Sequence, residues 1–416
     1  MLLINVFKRI LKIYPKEDLQ YFFKHGKFKF FQQLLSFALS FFLIWYFANY
    51  TSIEFYGNYQ FIIATNGLFL IFSFPGIKDS ILQSVARGYE YSLIVGTKKA
   101  IKISLIGCIF LILLSGYYFF FEQKLEISII FLIFCLIYPF YYTLDNFIYF
   151  LEGKKKFKSE FYITSFFSII KLLLIFLSLL IFKENLIILF IITFVSQILI
   201  YFFFFWKCCK KIKDIRIDED LIHYGSFMTK ISLLGTITGQ IDKFIIGFFM
   251  GTSSLAIYSI GLLIPEKIKD LIKPIFSSLV PQFAQQKIIA SWKQVLFLFI
   301  SGVFISIILI ISIPIIINLF FSKFSESIIY GQIYSILFVS FFVNMYLAYY
   351  FRGNKFREGI TKPTIYSQVV YLLSLSVLIY FYHEIGIILA KIIQLFVSTL
   401  ILLYQFKKYT NSSFSD

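Results

Sequence analysis

The chain is 416 residues long, 59% hydrophobic and only 15% charged, with a mean hydropathy of +0.83. A soluble domain could not cover that much apolar surface, so the membrane class remains. The formal charge of +17 comes from short basic segments between apolar runs, which is the arrangement of the positive-inside rule and excludes nucleic acid as a partner.

The first 28 residues read as a basic leader. Ile4, Phe7, Leu11 and Tyr14 fall at helical spacing with Lys8, Arg9 and Lys12 around them. This suits an amphipathic helix on an anionic membrane face until Pro15 interrupts it, and a disordered basic leader fits the same residues. No short apolar core with a small-residue cleavage site follows, so a cleaved signal peptide is not expected.

Apolar runs of about 20 residues, the length needed to cross a hydrocarbon layer, fall near residues 29–49, 57–77, 100–121, 127–150, 160–182 and 185–206. A second set falls near 224–250, 254–280, 294–321, 328–351, 363–382 and 385–406. The expected fold is an all-α integral membrane protein of about twelve spans, with six-helix lobes at 29–206 and 224–406, a polar linker at 207–223 and a tail at 407–416. One alternate set of loops is rich in Lys and Arg, Lys98, Lys154 and Lys210 among them, and the other holds only Lys124, Lys183 and Lys323. That asymmetry predicts both termini in the cytoplasm. A faint echo between Glu54–Tyr59 and Ser253–Tyr258 suggests a parallel repeat about an axis along the membrane normal, with substrate between the halves.

Charge inside apolar sequence is the main functional signal. Seven lysines lie deep in spans, Lys171, Lys230, Lys243, Lys267, Lys269, Lys273 and Lys391, against three acids, Asp242, Glu266 and Asp270. Charges at bilayer depth cost about 2.5 kcal/mol or more each, so they normally face a bundle interior or a wet cavity. Glu266, Lys269, Asp270 and Lys273 share a helix face, where they form a structural ion-pair ladder or line a cavity with Lys267 beside them. Lys171 stands in a polar stripe with Thr164, Ser168 and Ser178, and Lys391 in one with Gln394 and Ser398. Asp242 neutralises a lysine on another span or binds a coupling cation, Na+ or H+. The seventh span carries Gly235, Gly239, Gly247 and Gly251 in two G-x-x-x-G spacings, which predict close approach to neighbouring helices.

Four cysteines, Cys108, Cys135, Cys208 and Cys209, form no C-x-x-C pair and meet no His cluster, so no disulfide framework, metal or cofactor is expected. The 57 Phe and 29 Tyr are too many for single aromatics to carry much functional information.

Asp242-Lys243-Phe244-Ile245-Ile246-Gly247, then Leu255-Ala256-Ile257-Tyr258 and Leu279-Val280-Pro281, resemble the seventh and eighth helices of bacterial polysaccharide transporters. These are the O-antigen and capsule repeat-unit flippases (Wzx type) of the multidrug/oligosaccharidyl-lipid/polysaccharide exporter superfamily. Phe55-Tyr56-Gly57-Asn58-Tyr59, Pro75-Gly76-Ile77, Ala86-Arg87-Gly88 and Gly386-Ile387-Ile388-Leu389-Ala390 are similar to other parts of that family. The long basic leader and the charge of Glu266 to Lys273 depart from its pattern. The resemblance implies a non-enzymatic inner-membrane flippase in lipopolysaccharide or capsule biosynthesis, acting beside polymerase machinery. Its implied partners are membrane lipids and an undecaprenyl-diphosphate-linked oligosaccharide, moved by alternating access. A cationic cavity suits a diphosphate, and lysine, as a point charge, suits one that must later leave. The rivals are a cation-coupled drug or metabolite exporter of the same superfamily and a membrane-embedded polymerase, ligase or glycosyltransferase. The first is expected to carry acids in its N-terminal lobe, the second a large outer loop or an acidic pair beside a span.

Overall fold

The computed structural model describes residues 27–277, 279, 280, 283, 290–354 and 356–412. The leader placed at 1–28 lies almost wholly outside them, as do Pro281 and the end of the 407–416 tail. Among the described residues every regular element is a helix. They run α1 (Lys27–Tyr50), α2 (Ile53–Phe69), α3 (Ile77–Ala86), α4 (Ser92–Phe120), α5 (Leu125–Tyr141), α6 (Asn146–Gly153), α7 (Phe157–Phe182) and α8 (Leu186–Cys209). After these come α9 (Leu221–Ile245), α10 (Thr252–Ser277), α11 (Trp292–Phe320), α12 (Ser327–Ser335), α13 (Phe338–Gly353) and α14 (Arg357–Ser412).

Eight of the described helices are long and apolar enough to cross a membrane, or ten if each bent pair is one span. α14 is two helices merged across His383, whose φ of 48° breaks the ladder. α10 is 26 residues long, enough to cross, but its five charged residues, Glu266 to Lys273, leave it outside that count. With α14 divided and α10 included, the described residues hold the twelve spans expected.

Two of the expected spans are bent. α2 passes through a short 3-10 turn, Leu70–Ser73, to Phe74, whose left-handed backbone (φ 59°, ψ 56°) precedes Pro75 and Gly76. Pro75 cannot continue a helix ladder, so the chain turns by 56° into α3, and the span runs to Ala86 rather than 77. α12 and α13 are likewise bent by 46° at Ile336 and Leu337. α9 ends in a π-helical turn, Ile246–Met250, and Gly251, at φ +98°, stands between it and the start of α10.

Contacts group the chain into two compact units, one at Tyr21–Phe248 and the other containing Phe249–Asp416. The first is built on the α4/α5 hairpin, with α7 and α8 packed together and α9 laid along α2 and α3. Aromatic rings fill it: Phe47 stacks on Tyr59 at 4.4 Å, and Phe61 on Phe244 at 5.8 Å between ring centroids. Of the expected glycines, Gly247 is buried in the π-helical turn, but those in the body of α9 do not make its close approach. Gly235 and Gly239 are exposed, and Gly239 meets no neighbour in its own unit. It lies instead at Gly225, where a Cβ on Gly76 would come within 2.2 Å of the Thr229 nitrogen and 2.5 Å of the Gly225 oxygen. The broken α2/α3 backbone, anchored by a 3.0 Å hydrogen bond from the Gly76 N–H to Thr229 Oγ1, selects that point of contact.

The turns of the first unit sort by charge. At the lysine-rich end, Glu90 pairs with Lys154 and accepts the Lys213 N–H at 3.1 Å. There too Asp218 of the linker receives Arg87 at 2.6 Å and Ser84 Oγ at 2.5 Å. At the lysine-poor end, Glu184 accepts both the N–H and the hydroxyl of Ser52, at 2.7 and 2.6 Å. Turns that the span count places together are thus bonded to one another. The second unit packs α11 on α12 and α13, α10 on α12, and α13 on α14.

Candidate substrate site

α10 and α12 meet where side chains are smallest. A Cβ on Gly261 would stand 2.7 Å from the Ser327 oxygen, and one on Gly331 2.7 Å from the Gly261 oxygen. Glycine at both positions lets the two backbones touch. One turn beyond Gly331 on α12, Tyr334 therefore lies against the charged face of α10.

Tyr334 is 1% exposed, and its hydroxyl is the hub of the site. It accepts a hydrogen bond from Lys269 Nζ at 2.7 Å and donates one to Glu266 Oε1 at 3.0 Å. Lys269 and Glu266 approach each other only to 3.9 Å, so the phenol joins them better than direct contact does. Both ammonium groups near the ring face it: Lys269 Nζ lies 5.1 Å and Lys391 Nζ, from the second arm of α14, 6.0 Å from its centroid. Such distances allow cation–π attraction. Three helices thus bring Lys269, Lys391 and Glu266 around one buried ring inside a membrane-spanning bundle. Lys269 is only 17% exposed, whereas the Glu266 side chain is 36% exposed. The carboxylate edge is therefore the open edge of the cluster.

The remaining expected residues divide between the units. Asp270 and Lys273 pair at 2.9 Å one turn along α10, both nearly half exposed, so the four charges of that face stand as two pairs, of which only Glu266 and Lys269 meet Tyr334. Lys267 is half-buried on the adjoining face. In the first unit Lys171 is half-buried on α7, and among the described residues it has no hydrogen-bond or ion-pair partner. Its stripe neighbours Thr164 and Ser168 turn back to bond their own helix carbonyls at 2.8 Å. Lys230 is exposed, Lys243 half-buried and Asp242 wholly buried on α9. Tyr334 had no sequence signal, because nothing separates it from the other tyrosines until α12 is laid on α10. Among the described residues no group of three or more His, Cys, Asp or Glu is placed to hold a metal ion.

The fold is that of a multi-pass membrane protein, with the charged cluster set within its spans. The chain belongs to the polysaccharide biosynthesis protein family, whose model matches residues 28–287. Its fold is similar to that of the lipid II flippase MurJ in an inward closed conformation (TM-score 0.66, 16% identity, 92% of this chain and 87% of that one). It is also similar to a multidrug resistance MATE family transporter of the MOP superfamily, solved inward-facing (TM-score 0.63, 13% identity, 91% and 94% covered) and outward-facing (0.61, 13%, 92% and 95%). No curated protein matches its sequence.

Proposed function

We propose that this protein is a flippase that carries an undecaprenyl-diphosphate-linked oligosaccharide repeat unit across the bacterial inner membrane by alternating access, with both termini in the cytoplasm. The observation that carries this reading is the pair of ammonium groups, Lys269 and Lys391, gathered around the buried Tyr334 ring inside spans. A diphosphate is the anion such a cluster fits. Lys269 already has one hydrogen-bond acceptor in the Tyr334 hydroxyl, so a phosphate oxygen would share its ammonium rather than meet a bare charge. Glu266 offsets part of the attraction and lets the headgroup leave, since lysine holds phosphate as a point charge and not as a fork. Lys171, Lys230, Lys243 and Lys267 serve in this reading as further cationic contacts, Lys273 as a minor one already paired with Asp270, and Asp242, Glu266 and Asp270 as charge balance or as the site of a coupling Na+ or H+. Family membership and the likeness of the fold to that of a lipid II flippase support it.

The test is a deletion strain assayed for lipid-linked oligosaccharide on each leaflet. The expected outcome is accumulation on the cytoplasmic leaflet, restored by the wild-type gene and not by one carrying Lys269→Ala with Lys391→Ala. Accumulation of a small molecule instead would select the cation-coupled exporter, and free sugar chains of abnormal length the polymerase.

A further inference from the structure

The first unit holds an ion pair inside its spans, Lys78 with Asp145, that the reading of the Tyr334 cluster leaves unused. Two spans of this unit are broken, and the breaks stand together. α2 gives way to α3 at Phe74, Pro75 and Gly76. The span Leu125–Gly153 is interrupted at 142–145, between α5 and α6, just after Pro139 takes one N–H out of the ladder. Three side chains tie one break to the other. Tyr138 donates to the Phe69 oxygen at 2.5 Å, Tyr142 to the Asn66 oxygen at 2.6 Å, and Lys78 Nζ to Asp145 Oδ2 at 2.6 Å. Beyond the breaks, Phe74, Ile77 and Ile81 share one apolar core with Phe147, Phe150 and Leu151. α3 and α6 thus form a block that is attached to α2 and α5 through the two breaks.

Of the three ties only the last can be undone by a proton. Lys78 and Asp145 each stand eight residues before the ends of α3 and α6, at Ala86 and Gly153, a depth of about 12 Å at 1.5 Å per residue. Their side chains are 14% and 20% exposed. The pair is matched in charge and calls for no further ion, but its hydrogen bonding is incomplete. Asp145 Oδ1 is buried and bonds nothing among the described residues; the same is true of Oδ1 of the adjoining Asn146, whose amide N–H goes to Thr97 on α4 at 3.0 Å. Both atoms are acceptors, so the joint lacks a donor, and a carboxyl becomes one when it is protonated. A metal cation fits less well, because an ammonium already sits against this carboxylate and, among the described residues, no group of three His, Cys, Asp or Glu is placed to hold one. Asp145 also acts electrostatically on the phenols of Tyr141, Tyr142, Tyr149 and Tyr201. Tyr149, whose ring lies 5.7 Å from the Lys78 ammonium, is in reach of Asp79, Glu152 and Glu160 as well. Phenols ordinarily titrate near pH 10, so the carboxyls are the groups that change, and of these it is Asp145 that bonds Lys78.

We propose that Asp145 is a proton-binding site that releases the joint between the two broken spans. With Asp145 charged, Lys78 pins α3 to the break between α5 and α6. When the carboxylate takes a proton from water its O–H bond forms and the net charge of the pair rises by one. Lys78 is then an uncompensated cation at depth, and its stem turns along α3 toward the lysine-rich end. The block of α3 and α6 is left with the two tyrosine hydroxyls and rocks on α2 and α5. The inference stands whatever cargo the protein carries.

The test is pH-difference infrared spectroscopy of the full chain in phosphatidylcholine nanodiscs, which reads a protonated carboxyl by its C=O stretch. Amide protection factors of residues 70–78, corrected for the intrinsic effect of pH on exchange, give a second readout. Acidification from about pH 9 to about pH 4, which brackets the ordinary carboxylate range from above, is expected to bring up a carboxyl band and to lower protection at the joint. Asp145→Asn, which donates as the protonated acid does and carries no charge, is expected to lose that band and to show low protection at every pH. Lys78→Gln is expected to shift the pH at which the band appears, and it decides the matter if Asp145→Asn does not fold. A full wild-type band in Asp145→Asn, or a band that Lys78→Gln leaves unmoved, overturns the proposal in favour of a permanently ionised, hydrated pair. Wild-type protection at the joint that ignores pH overturns it too.

Discussion

The two units treat charge in opposite ways. In the first, the ion pairs Lys78–Asp145 at 2.6 Å, Arg87–Asp218 and Lys154–Glu90 are one cation to one acid, and the last two sit beside turns. In the second, two lysines share Tyr334 with a single carboxylate along membrane-spanning helices. Matched pairs fasten turns together and need no further partner. A charge at bilayer depth costs about 2.5–3.5 kcal/mol, and a fold that keeps it there turns it toward the bundle interior or a wet cavity. The exception in the first unit is Lys171, half-buried and without a partner among the described residues, and it marks where that contrast is weakest.

The largest expected effect is therefore in the second unit. Lys269→Ala with Lys391→Ala removes two charge-assisted contacts worth roughly 1.5–3 kcal/mol each, so transport of lipid-linked oligosaccharide in membrane vesicles is expected to fall at least a hundred-fold. Lys171→Ala removes one such contact and is expected to cost about ten-fold. If Lys171→Ala were the more damaging of the two, the cationic site would belong to the first unit and the contrast would be reversed.

Stability is expected to follow the backbone contacts next. Gly261→Ala puts a methyl group 2.7 Å from the Ser327 oxygen, a backbone atom that cannot swing aside. Overpacking of this kind costs about 1–3 kcal/mol. The thermal midpoint of the purified protein should drop, and transport should drop with it as Tyr334 moves off Lys269. In the first unit Gly76→Ala should lower the midpoint as much, through α9. A melting curve unchanged by Gly261→Ala would mean that α10 and α12 are not held by glycine contact.

The span count was legible because it depends on a local sum, the apolar content of some 20 consecutive residues, and the break at His383 fell between two of the runs so identified. What the sequence hid is pairwise. The G-x-x-x-G spacing on α9 pointed to one helix, whereas the close contacts join Gly76 to Gly225 and Gly261 to Gly331 across helices distant in sequence. Asp218 read as one acid in a polar linker, yet it is 7% exposed between Ser84 and Arg87. Tyr334 was lost among its like, and the charges on α10 stayed open between a ladder and a cavity lining because helical spacing shows which residues share a face but not what stands opposite them.

Smaller effects are expected at the turns. Lys154, then the Lys213 N–H, hold the Glu90 carboxyl below its usual pKa. A carboxylate whose folded pKa is depressed stabilises the fold above its unfolded value and loses that contribution as pH falls through the folded one. Wild type should thus melt above Glu90→Gln at neutral pH, and the gap should close on acidification below the ordinary carboxylate range near pH 4. A gap that stayed constant with pH would mean that the hydrogen-bond geometry, not the charge, fastens that end of the unit.

The least effect is expected from Lys273→Ala, although Lys273 and Lys269 are one turn apart on the same helix. Lys273 and Asp270 are nearly half exposed and bonded to each other at 2.9 Å. An exposed pair of this spacing is worth about 0.5 kcal/mol or less, so the midpoint should hardly move. Transport should keep most of its rate, because Asp270 already satisfies that ammonium. Lys269→Ala, four residues away, removes the cation that Tyr334 presents. A Lys273→Ala variant as inactive as Lys269→Ala would show that the outward pair opens to take substrate, and that the whole charged length of α10 acts as one surface.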